Sequence, residues 1–287
     1  MFGREKYLHI NKILNARFQE KSVLVAAHRG AVGGNIIENT LPSFRLALNM
    51  GADLFETDLV KSEDGILYCY NDKEHNPAEK GDLKQMSSME IDHYQRYNRI
   101  GLPSAYKTER FESVLSAFNS NELFNVDRAW RYFPEVAHIF KKYPYIIRQA
   151  VLKSHVEDEP LEFLNCLPEK YMYMAIVRSW QDIERVLTYE NINLVGFEMI
   201  IPDSNSALFQ NEAIEKIHSM GFFTWINSIT LSSLPEHSYS AGYDDNNSIM
   251  TTPENGWGVL IEKAFDVIQT DWPMLVSQYR DSTLRAV

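Results

Sequence analysis

The residues Val23-Leu24-Val25-Ala26-Ala27-His28-Arg29-Gly30, together with Leu54-Phe55-Glu56-Thr57-Asp58 and the return Ile66-Leu67-Tyr68-Cys69-Tyr70-Asn71-Asp72, decide how this chain folds. The first five are apolar without alternation, as in a parallel strand buried on both faces, and they carry His28 and Arg29 to its C-terminal end. Thr40 can cap the next helix, with Pro42 in its first turn and Phe44, Ala47 and Leu48 turned inward until Gly51 stops it. Residues 52–60 then read as a second strand. Only Lys61-Ser62-Glu63-Asp64-Gly65 separates it from the apolar return, too little chain for a parallel crossover. The two segments therefore form an antiparallel hairpin whose tip, Asn71-Asp72, folds back over Glu56 and Asp58.

Outward from this stretch, Ile10, Ile13, Leu14 and Phe18 mark one face of a helix over residues 4–20, expected to close the bottom of the domain. Residues 73–108 are polar, with Pro77, Gly81, Gly101 and Pro103, and read as a long loop holding a short helix near 87–97. After a helix at 109–118 the chain alternates: strand 123–127, helix 130–140, strand 145–153, then strands 171–177, 194–201, 222–227 and 266–270. Helical segments at 181–190 and 211–220 lie between them. Apart from the hairpin return, eight parallel strands end near His28, Asp58, Asp127, Lys153, Val177, Ile201, Asn227 and Asp271. The expected fold is α/β, a TIM-type (β/α)8 barrel in one domain over 1–287, with an added antiparallel hairpin strand after the second barrel strand. A doubly wound open sheet is the alternative, because periodicity does not report closure. The polar segment 233–256 reads as an insertion at the top of the barrel.

Composition narrows the function. Against 28 Lys and Arg stand 39 Asp and Glu, a formal charge of −11, which disfavours nucleic acid or an anionic membrane as partner. Any phosphate must be met by a local positive cluster or a metal. Two cysteines, Cys69 and Cys166, exclude a disulfide framework, and Cys69 reads as a buried small hydrophobe. The N-terminus lacks an apolar signal region, and no run approaches the ~18 apolar residues of a membrane span. A cytoplasmic protein without stable membrane insertion is expected; the oligomeric state is not legible.

In such a barrel the strand ends converge on one mouth. Alternation puts Glu56 and Asp58 on one face, and two ionised carboxylates in one space call for a cation. Oxygen ligands suit Mg²⁺ or Ca²⁺, with Asp127 of the neighbouring parallel strand as third ligand. His28 and Arg29 offer a proton carrier and a fixed cation, and Lys153 a point charge, around a group such as a pentavalent phosphorus. Glu198, Trp225 and Asn227 sit at further strand ends as substrate-binding candidates, Trp225 with one edge expected in the mouth. Glu38 either orients a basic group or the metal shell, or Glu38-Asn39-Thr40 is simply a helix start. Thr270-Asp271-x-Pro273 reads as mainly structural.

Taken in order, His28-Arg29-Gly30, Glu38-Asn39-Thr40, Glu56-x-Asp58, the hairpin and Thr270-Asp271-x-Pro273 resemble the glycerophosphodiester phosphodiesterase family. The resemblance implies metal-dependent hydrolysis of small-molecule glycerophosphodiesters in lipid metabolism, with His28 as first acid/base and Glu56, Asp58 and Asp127 as the Mg²⁺ or Ca²⁺ ligands. Asp127, where Glu is commoner, is similar to the sphingomyelinase D branch. Asn71 occupies the position of the family's second catalytic histidine, and His75 is the nearest candidate to replace it. An impaired or altered phosphodiesterase, a catalytically silent phosphodiester-binding protein and a cyclising phosphodiesterase all fit.

Overall fold

The computed structural model describes residues 1–73, 77–230 and 238–284; His75 and residues 233–237 of the 233–256 segment lie outside them. Ten strands are present among these residues: β1 (Leu24–Ala27), β2 (Leu54–Lys61), β3 (Leu67–Cys69), β4 (Glu109–Arg110), β5 (Leu123–Asp127), β6 (Ala150–His155), β7 (Met172–Val177), β8 (Asn193–Met199), β9 (Phe223–Asn227) and β10 (Val267–Thr270). β1 pairs in parallel with both β2 and β10, and the run β2, β5, β6, β7, β8, β9, β10 completes a closed ring of eight. Closure removes the open-sheet alternative. β3 stands outside the ring, antiparallel to β2 with Leu59 opposite Cys69, and β4 pairs with β3.

Strand alternation sorts the side chains into layers. Phe55, Phe124, Val126, Leu152 and Ile268 face outward into the main core shared with the helices. Their neighbours face inward, and the lowest layer is apolar: Leu24, Leu54, Leu123, Val151, Phe223 and Val267, with Ile10 and Leu14 packed onto it. Continuing upward by twos from that floor, β2 turns Glu56 and Asp58 into the barrel, β5 Asn125 and Asp127, β6 Lys153 and His155. The polar residues thus occupy the upper layers because the apolar ones fill the lower.

Several elements differ from the sequence reading. Residues 4–20 form a 3₁₀ turn, Glu5–Tyr7, and a helix, Lys12–Glu20. The break falls where Asn11 turns inward to exchange amide hydrogen bonds with Asn193 at 3.1 and 2.8 Å. The short helix in the long loop is only Ser88–His93, started by a Ser87/Glu90 capping box. The helix after that loop begins at Phe111 because Glu109 and Arg110 are drawn into β4. Residues 145–148 belong to a 3₁₀ turn opened by Pro144, so β6 starts at Ala150 and runs past Lys153 to His155. That shift brings a second ionisable side chain to the mouth.

The chain crosses from β1 to the next helix in a tight left-handed turn, with Arg29 at φ 54° and Gly30 at φ 83°. A Cβ on Gly30 would lie 2.7 and 2.8 Å from the backbone carbonyl carbon and oxygen of Ser43, in the helix Leu41–Asn49. Gly30→Ala is therefore expected to destabilise the fold by more than ~1 kcal/mol, from the strained φ and the backbone clash together. Urea denaturation checks this, and a midpoint equal to that of the native chain would contradict it.

Candidate functional site

The mouth of the barrel is a cavity of about 240 Å³ whose wall includes His28, Arg29, Asp58, Asn71, Asp127, Lys153, Glu198 and Asn227. Glu56 lies beneath it at 0% exposure. Glu56, Asp58 and Asp127 each offer a carboxylate oxygen within 4.8 Å of the others. Glu56 Oε2 accepts the Arg29 N–H at 2.9 Å, while Oε1 is buried without a hydrogen-bond partner among the described residues. Burial and the Asp58 charge push the Glu56 carboxyl up to about 8. An orphaned oxygen on a disfavoured carboxylate, with two more acidic groups at ligand spacing, fits a hard divalent cation with oxygen ligands.

The cations of the site are already engaged. Asp58 pairs with Arg29 Nε at 2.9 Å and Arg128 Nε at 3.1 Å, and accepts from Asn71 Nδ2 at 2.8 Å. Lys153 Nζ lies 2.8 Å from both Asp127 and Glu198. Burial alone would strip its proton, but those carboxylates outweigh it and hold Lys153 above its ordinary range. Burial likewise opposes Asp127, yet Lys153 and the Arg128 N–H keep it below the usual carboxylate value. Glu56, Asp58, Asp127 and Glu198 thus face Arg29, Arg128 and Lys153, with Glu38 also on Arg29, an acidic excess that a dication would offset.

His28 is paired on one side. Its Nδ1 lies 2.8 Å from Asp271 Oδ1. Burial opposes the charged form, but the Asp271 carboxylate outweighs it and raises His28 to about 9. Asp271 therefore carries more than the structural part read for Thr270-Asp271-x-Pro273; Pro273 does open a helix, Pro273–Leu284. The signal was available, since Asp271 follows the last barrel strand at the same mouth.

The Glu38-Asn39-Thr40 stretch serves both readings. Glu38 Oε2 accepts from Arg29 Nη1 at 3.3 Å, and burial, opposed by Arg29, raises its pKa. Asn39, at φ 56°, accepts from Thr57 Oγ1 and from the Asp58 N–H, fixing β2 at its acidic end. Thr40 caps the following helix in a capping box with Ser43.

The hairpin return brings Asn71 to Asp58, and Tyr70 N–H donates to the Asp58 carbonyl at 3.0 Å. Trp225 is corrected: at 1% exposure it belongs to the barrel floor and shows no edge in the mouth. Its Nε1 donates to Asn227 Oδ1 at 3.0 Å, and Asn227 donates to Glu198 at 2.8 Å, so its inward-facing indole orients a neighbour.

Arg128, His155 and Arg178 also line the cavity and were not read from the sequence. Arg128, at φ 53°, bridges Asp58 to Asp72 of the hairpin tip. His155 accepts from Arg178 Nη1 on Nδ1 at 3.2 Å, and burial with the Arg178 charge lowers its pKa. Spacing of two from Lys153 could have flagged His155 had β6 been placed correctly. Nothing local marks Arg128.

The profile of the glycerophosphoryl diester phosphodiesterase family matches residues 28–210, and that of a domain of unknown function matches residues 171–280. Among curated proteins the chain is similar to the glycerophosphodiester phosphodiesterase GDPD6 of Arabidopsis thaliana, 46% identical over 46 residues, which cover 16% of this chain and 12% of that protein's length. Among solved structures it resembles a glycerophosphoryl diester phosphodiesterase from Parabacteroides distasonis (TM-score 0.71, 17% identity, 91% of this chain and 87% of that one). It also resembles a glycerophosphodiester phosphodiesterase from Agrobacterium tumefaciens (0.64, 19%, 89% and 99%). A third likeness is to an Oleispira antarctica phosphodiesterase in complex with the product sn-glycerol-3-phosphate (0.62, 15%, 93% and 99%).

Because the folded pKa of His28 lies above its unfolded value, the pair with Asp271 contributes stability that is fully present below about 6.5 and is lost as pH rises through about 9. Asp271→Asn is expected to abolish this slope between those values and to drop the His28 titration to its ordinary value or lower, since burial is then unopposed. Denaturation midpoints across pH and NMR titration of the imidazole check it; an unchanged His28 titration would refute the assignment.

Proposed function

We propose, since the chain belongs to the glycerophosphoryl diester phosphodiesterase family, that it hydrolyses small glycerophosphodiesters to glycerol phosphate and an alcohol with a divalent cation. The observation that carries this is the convergence of Glu56, Asp58 and Asp127 within ligand spacing, with the His28–Asp271 pair lining the same mouth. The Oleispira antarctica relative, with sn-glycerol-3-phosphate as product, supports the substrate class. Free Cys69 and Cys166 suit a reducing, cytoplasmic setting, and among the described residues no helix is long and apolar enough to cross a membrane.

Glu56, Asp58 and Asp127 would hold Mg²⁺ or Ca²⁺. Bound there, the ion would polarise a phosphoryl oxygen and offset the charge that grows on it. The chain's own residues do the rest. Arg29 and Lys153, buried against carboxylates that fix their heads, present cationic groups to the non-bridging oxygens without reorganising as charge develops. As a water oxygen bonds to phosphorus and the P–O bond to the alcohol breaks, His28, held as an imidazolium by Asp271 at neutral pH, gives its proton to the departing alcohol oxygen, and the proton released from the water restores the imidazolium. Glu198 and Asn227, tied to each other and to Lys153 or Trp225, line the cavity where the organic part of the substrate would rest.

Asn71 has no proton to trade at neutral pH. Its amide holds Asp58 instead, which leaves the site with one acid/base where the family has two and favours a slow enzyme. The same observation favours a second reading, a silent phosphodiester-binding protein.

Turnover of glycerophosphocholine and glycerophosphoethanolamine with Mg²⁺ or Ca²⁺, followed by ³¹P NMR, separates these readings. Asn71→His is expected to raise kcat by about 10²-fold or more, the usual weight of an acid/base group, and a cyclic phosphate signal would point to attack by a substrate hydroxyl. Binding without turnover in either form would leave the silent protein. Independently of activity, Mg²⁺ or Ca²⁺ is expected to stabilise the fold by about 2.7 kcal/mol at a hundredfold excess over Kd. Glu56→Gln should abolish that gain; a melting temperature indifferent to both ions in the native chain would remove the metal from the proposal.

A further inference from the structure

The His28–Asp271 pair has a weakness. Asp271 sits on the rim with its side chain 47% exposed, so where its carboxylate can reach depends on how firmly the backbone beneath it is placed. The chain fixes it with a second carboxylate from the segment before β10. Asp245, 1% exposed, accepts four hydrogen bonds. Its Oδ2 takes the Asp271 N–H at 2.9 Å. Its Oδ1 takes Ser228 Oγ at 2.7 Å, Thr270 Oγ1 at 2.8 Å and Trp257 Nε1 at 2.8 Å. Ser228 follows β9 and Thr270 ends β10, so one buried group ties two strand ends and the turn that carries Asp271. Thr270 Oγ1 in turn accepts the Trp272 N–H at 2.9 Å, closing the other side of that turn.

We propose that Asp245 is a positioning residue for the acid/base: by gripping the Asp271 backbone and Thr270 from within, it aims the Asp271 carboxylate at His28 Nδ1. The role rests on reading His28 as the acid/base, but its test does not need turnover.

The chemistry demands a carboxylate. Every neighbour named here presents a donor, and an ionised carboxylate is all acceptor, whereas an amide has one oxygen and one NH₂. Asp245→Asn must therefore set its NH₂ against either the Asp271 N–H or the Trp257 Nε1–H, neither of which can accept. Asp271 is the charged group facing Asp245. Its repulsion, after burial, raises the Asp245 carboxyl to about 7. A burial this costly, kept beside a like charge, is accounted for by what it holds in place.

The test is the NMR titration of the His28 imidazole, assigned by its loss in His28→Asn, in the native chain and in two variants. Asp245→Asn is expected to lower the His28 pKa by about one unit, tenfold in the protonation equilibrium. Trp257→Phe removes one donor from the same buried carboxylate but leaves the bond to Asp271, and its His28 titration should match the native chain. With glycerophosphocholine, kcat should fall about 10- to 100-fold in Asp245→Asn with KM unchanged, as for other groups that orient a reacting side chain. An unchanged titration in Asp245→Asn, or an equal shift in both variants, overturns the role. If Asp245→Asn does not fold, Thr270→Val takes over: it keeps the carboxylate but frees the Trp272 N–H, and an intermediate shift supports the proposal while none overturns it. A shifted titration in a chain that turns over no diester leaves the positioning intact and removes the phosphodiesterase reading instead.

Discussion

Glu56 and Asp58 are buried charges on one strand, and the arrangement of the mouth follows from what that costs. Two carboxylates below 3% exposure cannot both stay ionised without cations close by. Arg29 comes from β1 and Arg128 from the end of β5, the two ring neighbours of β2, while Asn71 arrives on the hairpin return. Lys153 on β6 compensates Asp127 on β5 and Glu198 on β8 in the same way. Even so, Glu56 keeps an oxygen without a partner among the described residues. That orphaned oxygen, with two more carboxylates at ligand spacing, is what makes the mouth fit a divalent cation.

Backbone geometry supports this electrostatic design. Arg29, Asn39 and Arg128 all adopt left-handed conformations, which non-glycine residues seldom do, and each sits where a barrel strand gives way to its loop or where that loop enters a helix. Arg29 is turned so that its N–H meets Glu56 while its guanidinium reaches Asp58 and Glu38. Asn39 is turned so that its side-chain Oδ1 accepts the Asp58 N–H. The strain is the cost of bringing side chain and main chain of one residue to bear on the same acidic pair.

Much of this was legible in the chain. The eight strand ends were placed from apolar runs and the spacing of helical segments, and the five-residue connection between β2 and β3 forced the hairpin that brings Asn71 to Asp58. Boundaries slipped where side chains competed with periodicity, at Asn11 with its amide pair to Asn193, and at Pro144, where a 3₁₀ turn delays β6. The second slip hid His155. Trp225 was misjudged because an aromatic residue near a strand end can face the mouth or the floor, and only the closed ring fixes which layer that position occupies.

By itself the sequence determined the alternation that makes a barrel, the face shared by Glu56 and Asp58, and the motif residues of the mouth, because these depend on spacing within one or two neighbouring elements. Tertiary structure alone decided closure of β1 on β10, the pairing of His28 with Asp271 across 243 positions, and the grip of Asp245 on that turn. Those contacts join segments far apart in the chain. No local period or propensity encodes them: the first two exist because the ring brings its first and last strands side by side, and the third because the segment between β9 and β10 folds back over the ends of those paired strands.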